Sequence, residues 1–268
     1  MNAADIICPV SQTPMEFAFR ETVLGRLSVS YYSCPVCGLL QTEAPYWLEE
    51  AYQEPISAGD TGLVARNIEN SHFLQTFLPL TFPGNARYVD LAGGYGLLTR
   101  LLRDKGFDCF TTDPYCPNLF ASTFEPPGSC NADALFAFEV LEHIYNPLEF
   151  IDQQFKKYNC RTLVFSTLTF QATYPSKDWW YYAFDAGQHI TFYERRSLEF
   201  LAARLHCRYY QVNPGLHVFS DAHFTPTTRL ILNNKWARKL LSIYARGKTR
   251  GRSLTWSDHL TSKEPRTP

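Results

Sequence analysis

The chain has 268 residues, 45% hydrophobic and 19% charged, with a formal net charge of −1 at pH 7 and a pI near 6.6. That is enough apolar material for one large domain with appendages, and the near-neutral balance leaves no global field drawing it to nucleic acid or lipid. Eight cysteines fall short of a disulfide-dense scaffold, Met1-Asn2-Ala3-Ala4-Asp5 has no basic region ahead of an apolar run, and no stretch reaches membrane-span length, so a reduced, cytoplasmic setting is expected.

Three segments follow one another: a cysteine-containing module over 1–65, a main domain over 66–213 and a basic extension with tail over 214–268. The first carries Cys8-Pro9-Val10-Ser11 and Cys34-Pro35-Val36-Cys37-Gly38. A Cys-x-x-Cys followed by Gly is the knuckle turn of a zinc ribbon, where thiolates and turn N–H groups meet at one metal. A complete site needs two such pairs, and Ser11 stands at the fourth place. Cys8, Cys34 and Cys37 either hold zinc with water or an outside ligand, or form a metal-free remnant held by packing.

The second segment opens with a helical pattern over 64–78 that is predicted to break at Pro79 and Pro83. Strands at 87–91, 108–112, 133–140 and 161–166 then alternate with helices at 97–105 and 147–158. The period argues for an α/β, Rossmann-like, mostly parallel sheet with helices on both faces. Residues 120–131, with Pro126-Pro127-Gly128, are irregular.

The run Asp90-Leu91-Ala92-Gly93-Gly94-Tyr95-Gly96 takes the first strand into a tight turn and a helix start. Glycine permits positive φ and close backbone approach, and a helix N-terminus offers unpaired N–H groups to a carboxylate or phosphate. Thr99 stands where a dinucleotide fingerprint needs its third glycine, and Leu97-Leu98 where a phosphate loop needs Lys-Ser/Thr. Asp113 ends the next strand, where a carboxylate can accept ribose hydroxyls or simply cap a turn. Further on comes Phe138-Glu139-Val140-Leu141-Glu142-His143. These motifs, spread over about 71–212, resemble the class I S-adenosylmethionine-dependent methyltransferases. The resemblance implies S-adenosylmethionine as cofactor, held by Asp90, Gly93, Gly94, Tyr95, Gly96, Asp113, Phe138 and Glu139.

The aromatic run Tyr174 to Phe184 sits where this family places substrate-covering insertions; it is expected either as core or as a partly wet surface for a polar ring. Gly187-Gln188-His189-Ile190-Thr191-Phe192-Tyr193 resembles bacterial family members of polysaccharide and secondary-metabolite pathways. Several sugar-modifying members carry a small zinc module like the first segment. The acceptor is therefore expected to be a small polar molecule, a hydroxyl of a sugar, nucleotide-sugar, glycan or related metabolite. The non-enzymatic alternative is a cofactor-binding module serving a protein assembly.

Glu139, Glu142 and His143 have the i, i+3, i+4 spacing of one helical face. Either His143 or His189, with Glu142, is expected to serve as a general base of pKa about 6.5, or the group holds a divalent cation, or these residues are purely structural and cap the turn. A Glu-x-x-Glu-His cluster with a downstream histidine resembles that of small-RNA terminal-ribose methyltransferases. Nucleic acid is otherwise disfavoured, because no Asn/Asp-Pro-Pro-Tyr/Phe motif follows the fourth strand. In the third segment, eight Lys or Arg and no acids lie between Arg229 and Arg252. Interleaved apolar residues predict an amphipathic helix there, a solvated face or a patch for an anionic partner.

Overall fold

A computed structural model describes residues 6–53, 60–128, 130–249 and 252–263; the five N-terminal residues, Arg250 and the tail from Glu264 lie outside them. In chain order come β1 (Glu16–Val23), β2 (Leu27–Ser33), β3 (Leu40–Thr42) and α1 (Leu48–Ala51). Next are α2 (Leu63–Thr81), β4 (Arg87–Leu91), α3 (Leu97–Asp104), β5 (Asp108–Thr112) and β6 (Ala134–Phe138). A single 3-10 turn, Leu141–His143, leads to α4 (Pro147–Lys157), β7 (Thr162–Ser166), β8 (Thr169–Phe170), β9 (Thr191–Glu194) and α5 (Arg195–Arg204). The chain continues through β10 (Arg208–Asn213), β11 (Leu216–Ser220), α6 (Pro226–Asn233), α7 (Lys235–Thr249) and α8 (Thr255–Thr261).

Packing divides the chain into two units. The first comprises Met1–Ser57, Phe138–Lys156 and Leu163–Asp221; the second comprises Ala58–Ala137, Lys157–Thr162 and Ala222–Pro268. These are not the three consecutive segments of the sequence reading, for a specific reason. The N-terminal strands join a later part of the chain in one five-stranded sheet of order β1-β2-β3-β9-β8. Leu40 pairs with Phe192 and Gln41 with Thr191, antiparallel.

That sheet covers an aromatic core. Phe19 stacks on Tyr31 with centroids 4.6 Å apart, and Tyr182 meets Phe192 edge-on at 4.9 Å. The aromatic run therefore supplies core: Tyr181 and Tyr182 are buried, while Trp180 alone of its three-residue turn is exposed. Rings of this size contribute more by leaving water than by coating a wet surface. The first unit also holds β10 and β11, an antiparallel hairpin, beside β7 in the order β10-β11-β7.

In the second unit β4 pairs in parallel with both β5 and β6. The residues of β4 and β6 are almost all buried, as parallel strands covered on both faces require, whereas those of β5, at the sheet edge, alternate between buried and half-buried. Leu98 and Leu102 of α3 are buried. Helix α2 runs through Pro79 to Thr81 instead of breaking there. Proline in the last turn forfeits one backbone hydrogen bond, and Phe82 N still donates to the Leu78 carbonyl, closing the turn. At the C-terminal end, buried Asp258 of α8 accepts from Arg103 Nη2 at 2.7 Å and Arg100 Nη2 at 2.9 Å, tying α8 to α3.

Candidate active-site residues

The glycine turn belongs to the second unit. Ala92, just past β4, has φ +49°, Gly94 +57° and Gly96 +80°. Gly96 begins α3, whose first turn has no side-chain cap. Gly94 N donates to Asp113 Oδ2 at 2.9 Å, and Asp113 Oδ1 accepts from Tyr115 N and Cys116 N at 2.8 and 2.7 Å. The Tyr95 carbonyl accepts from Leu119 N and Phe120 N, both at 3.0 Å. Asp113 thus ties the turn to the loop after β5 and keeps acceptor capacity on Oδ2 alone, since Oδ1 already takes two donors.

Beneath the turn, Asp90 and Thr111 pair in register. Asp90 Oδ2 and Thr111 Oγ1 are buried with no hydrogen-bond partner. Burial, and then the nearby charge of Asp113, push the Asp90 carboxyl up to about 8, so it is largely protonated at neutral pH. A Cβ on Gly93 would lie 2.5 Å from Asp90 Oδ2 and closer still to Thr111 Oγ1. The position therefore admits only glycine. Glycine at 93 thus lets the turn's backbone pack directly on the ends of β4 and β5, while Gly94 and Gly96 take the positive φ values that the tight turn needs.

The remaining candidates lie in the first unit. Phe138 ends β6, and Glu139 follows in the left-handed region at φ +55°. Glu139 N donates to Ser166 Oγ at 2.8 Å, and that hydroxyl donates to Glu139 Oε1 at 2.5 Å. Only Leu141–His143 is helical, so Glu139 does not share a helical face with Glu142 and His143 as the spacing suggested. The strained residue turns its carboxylate to β7 instead.

The structure brings Glu142, His143 and His189 together, their ligand atoms all within 4.8 Å of one another. The two imidazoles meet edge-on with centroids 4.8 Å apart. Glu142 is fully buried; its Oε1 accepts from Tyr181 Oη at 2.7 Å, and its Oε2 has no partner. Burial, reinforced by Glu139, raises this carboxyl to about 8. His143 Nδ1 is 3.0 Å from Tyr52 Oη. Desolvation, with the His189 ring beside it, lowers His143 to about 3. His189 is also lowered by desolvation, against the opposing effects of the Tyr181 carbonyl and Glu139. Both rings thus fall below the histidine value near 6.5 assumed from sequence, because neither is well hydrated.

The three N-terminal cysteines form a second group in this unit. Cys8 Sγ lies 3.6 Å from Cys37 Sγ, and Ser11 Oγ 3.1 Å from Cys34 Sγ. Ser11 N points to Cys8 Sγ and Cys37 N to Cys34 Sγ, at 3.5 and 3.4 Å, as in paired knuckles. A tetrahedral zinc with bonds of about 2.3 Å has sulfur–sulfur edges of roughly 3.8 Å; the three sulfurs lie within 4.8 Å of one another, close enough to share one metal, with the Ser11 hydroxyl beside Cys34. The hydrogen bond from Cys37 chiefly holds the Cys8 thiol down to about 5. Cys37 is raised in turn, by that same interaction and by burial.

Sequence reasoning missed Tyr52, Tyr181, Ser166 and Thr111. Tyr181 was in view only as one ring of an aromatic run. The others lie 91, 27 and 21 residues from their partners His143, Glu139 and Asp90 and carry no local signal.

Comparison with known proteins names the fold. A family model described as a methyltransferase domain matches residues 65–212, more than half of the chain. No curated protein sequence matches it. Among solved structures, it is similar to an O-methyltransferase family 2 protein from Planctomyces limnophilus DSM 3776, in complex with apigenin. That match has 15% identity and a TM-score of 0.47, and covers 65% of each chain. It is also similar to magnesium protoporphyrin IX methyltransferase (ChlM) from Synechocystis PCC 6803 with bound S-adenosylhomocysteine. There the identity is 11%, the TM-score 0.41, and the cover 65% of this chain and 94% of that one. The chain spans less than two thirds of the length of the first solved structures it matches; with a domain model over more than half of its residues, it belongs to the S-adenosylmethionine-dependent class I methyltransferase family.

Proposed function

We propose that the enzyme methylates a hydroxyl of a small polar acceptor, a sugar or related metabolite, with His189 as the base. The observation that carries this reading is the 2.6 Å contact between His189 Nδ1 and the Tyr181 carbonyl. A carbonyl only accepts, so Nδ1 holds the proton and Nε2 presents a lone pair. Desolvation keeps the ring neutral and ready to accept. His143 is the weaker candidate, since its Nδ1 faces Tyr52 and its ring also hydrogen-bonds the Gln188 backbone.

In this reading Asp113 and the Gly93–Gly96 backbone hold the adenosine end of the cofactor, helped by Asp90. When bound, S-adenosylmethionine supplies a methyl group already activated by sulfonium charge. The protein's remaining work is to orient the acceptor and take its proton at His189 Nε2. Glu142 acts through Tyr181, fixing the segment whose carbonyl sets the His189 tautomer.

One observation favours a second reading. Glu142 Oε2 is buried and unpartnered, and it shares a small space with two imidazoles. A divalent cation on Glu142, His143 and His189 would satisfy it, lower the pKa of a coordinated hydroxyl and keep Glu142 ionised.

The test is release of S-adenosylhomocysteine from a panel of nucleotide-sugars, glycans and small metabolites, with and without chelator. A His189 base predicts indifference to chelator and a loss of about 10²–10⁴-fold in kcat for His189→Ala. Loss of activity with chelator and its return with a divalent ion would establish the second reading. Full activity of the His143→Ala/His189→Ala double variant would sink both.

A further inference from the structure

We propose that the outer face of α7 docks onto the surface of an anionic phospholipid bilayer. Trp236, Leu240 and Ile243 are 74%, 72% and 73% exposed. Their i, i+4, i+7 spacing puts them in one stripe. The helix itself is anchored: Ala245 is buried on its inner side, and Arg238 Nη1 donates to the Ile231 and Leu232 carbonyls at 2.7 and 2.9 Å. The apolar stripe is thus held out in water by a fixed helix.

Charge identifies the occupant. Exposed Lys235 and Lys239 form the adjoining stripe, one position before Trp236 and Leu240, and Lys239 Nζ lies 5.9 Å from the Trp236 ring. No acid lies between Arg229 and Arg252. A second copy docking isologously would set lysine against lysine. Nucleic acid would answer the lysines but leave Leu240 and Ile243 exposed. An anionic membrane meets both stripes: aliphatic side chains enter the acyl boundary, the indole sits at headgroup level and the ammonium groups face phosphate. At 15 residues α7 is shorter than a span, and no helix among the described residues is long and apolar enough to cross a membrane, so α7 would lie in the plane.

The experiment is flotation of the full chain with phosphatidylcholine vesicles, with and without phosphatidylglycerol, together with tryptophan fluorescence. Binding is expected only with phosphatidylglycerol, weakening as salt rises, with a blue shift lost in Trp236→Phe. Each basic residue at an anionic surface contributes about fivefold in affinity, so Lys235→Gln/Lys239→Gln should lose roughly 30-fold. Leu240→Ser/Ile243→Ser should abolish binding. Since all five positions are exposed, melting temperature and S-adenosylhomocysteine binding should hold in these variants. The proposal is overturned by absence of binding, by equal binding to neutral vesicles, by capture of RNA without capture of vesicles, or by a dimer that Leu240→Ser disperses in a chain that ignores lipid.

Discussion

Gly93→Ala is the sharpest probe of the cofactor cradle. The added methyl carbon would lie 2.5 Å from Asp90 Oδ2 and nearer still to Thr111 Oγ1. Asp90 and Thr111 are 2% and 1% exposed, and both sit on paired strands, so neither can swing away. The turn must lift instead. Overpacking of this kind costs about 1–3 kcal/mol, and each kcal/mol lowers the melting temperature of a domain of this size by roughly 2–4 °C. A lifted turn also misplaces Gly94 N from Asp113, so affinity for S-adenosylhomocysteine should fall about tenfold or more, given roughly 1.5–3 kcal/mol for a charge-assisted hydrogen bond. Thr111→Ala removes the nearest obstacle and a hydroxyl that has no partner, so it should be nearly neutral alone. Combined with Gly93→Ala it should restore part of both losses. Thermal unfolding and calorimetric titration of the three variants measure this cycle. Wild-type melting and affinity in Gly93→Ala, or strict additivity with Thr111→Ala, would refute the steric argument.

Asp113→Ala removes the acceptor for Gly94, Tyr115 and Cys116 N–H groups; S-adenosylhomocysteine affinity by calorimetry should drop at least about tenfold. Asp90 has a folded pKa near 8, above its usual value, so the folded state holds a proton that the unfolded chain has lost. Its contribution to stability is therefore complete below pH about 4 and is lost as pH rises toward 8, at up to about 1.4 kcal/mol per pH unit. Asp90→Asn should flatten that fall in urea unfolding across the same range. Ser11→Cys should give a four-thiolate site that takes up one zinc on metal analysis and melts higher than wild type, whereas the wild-type chain, with the Ser11 hydroxyl beside Cys34, should hold zinc more weakly.

The α/β half of the chain was legible because its signals are local. The glycine turn, the strand ending at Asp113 and the run from Phe138 to His143 each announce themselves within a few residues. The N-terminal segment was read for its cysteines alone, and its three strands went unread along with their partner across the sheet. The pairing of β3 with β9 joins residues about 150 positions apart, and only the folded chain reveals it. Likewise His143 and His189 were joined by family likeness, not by any pattern in the residues between them. The helical spacing of Glu139 and Glu142 misled because a left-handed residue ends the strand before one short turn begins.

The pairing of β3 with β9 bears on what can be cut or exchanged. Thr42 N donates to the Ile190 carbonyl, Trp47 Nε1 to that of Gly187, and Gln188 Nε2 to that of Ala51. The segment on either side of His189 is therefore stitched to the N-terminal residues at three points. A truncation retaining only the residues matched by the domain model would leave the edge of β9 bare and prone to pairing with other chains. For the same reason, swapping N-terminal modules between relatives would reset the seat of this histidine along with the cysteines. The cysteine module and the Gly-Gln-His stretch should be inherited, or redesigned, as one piece.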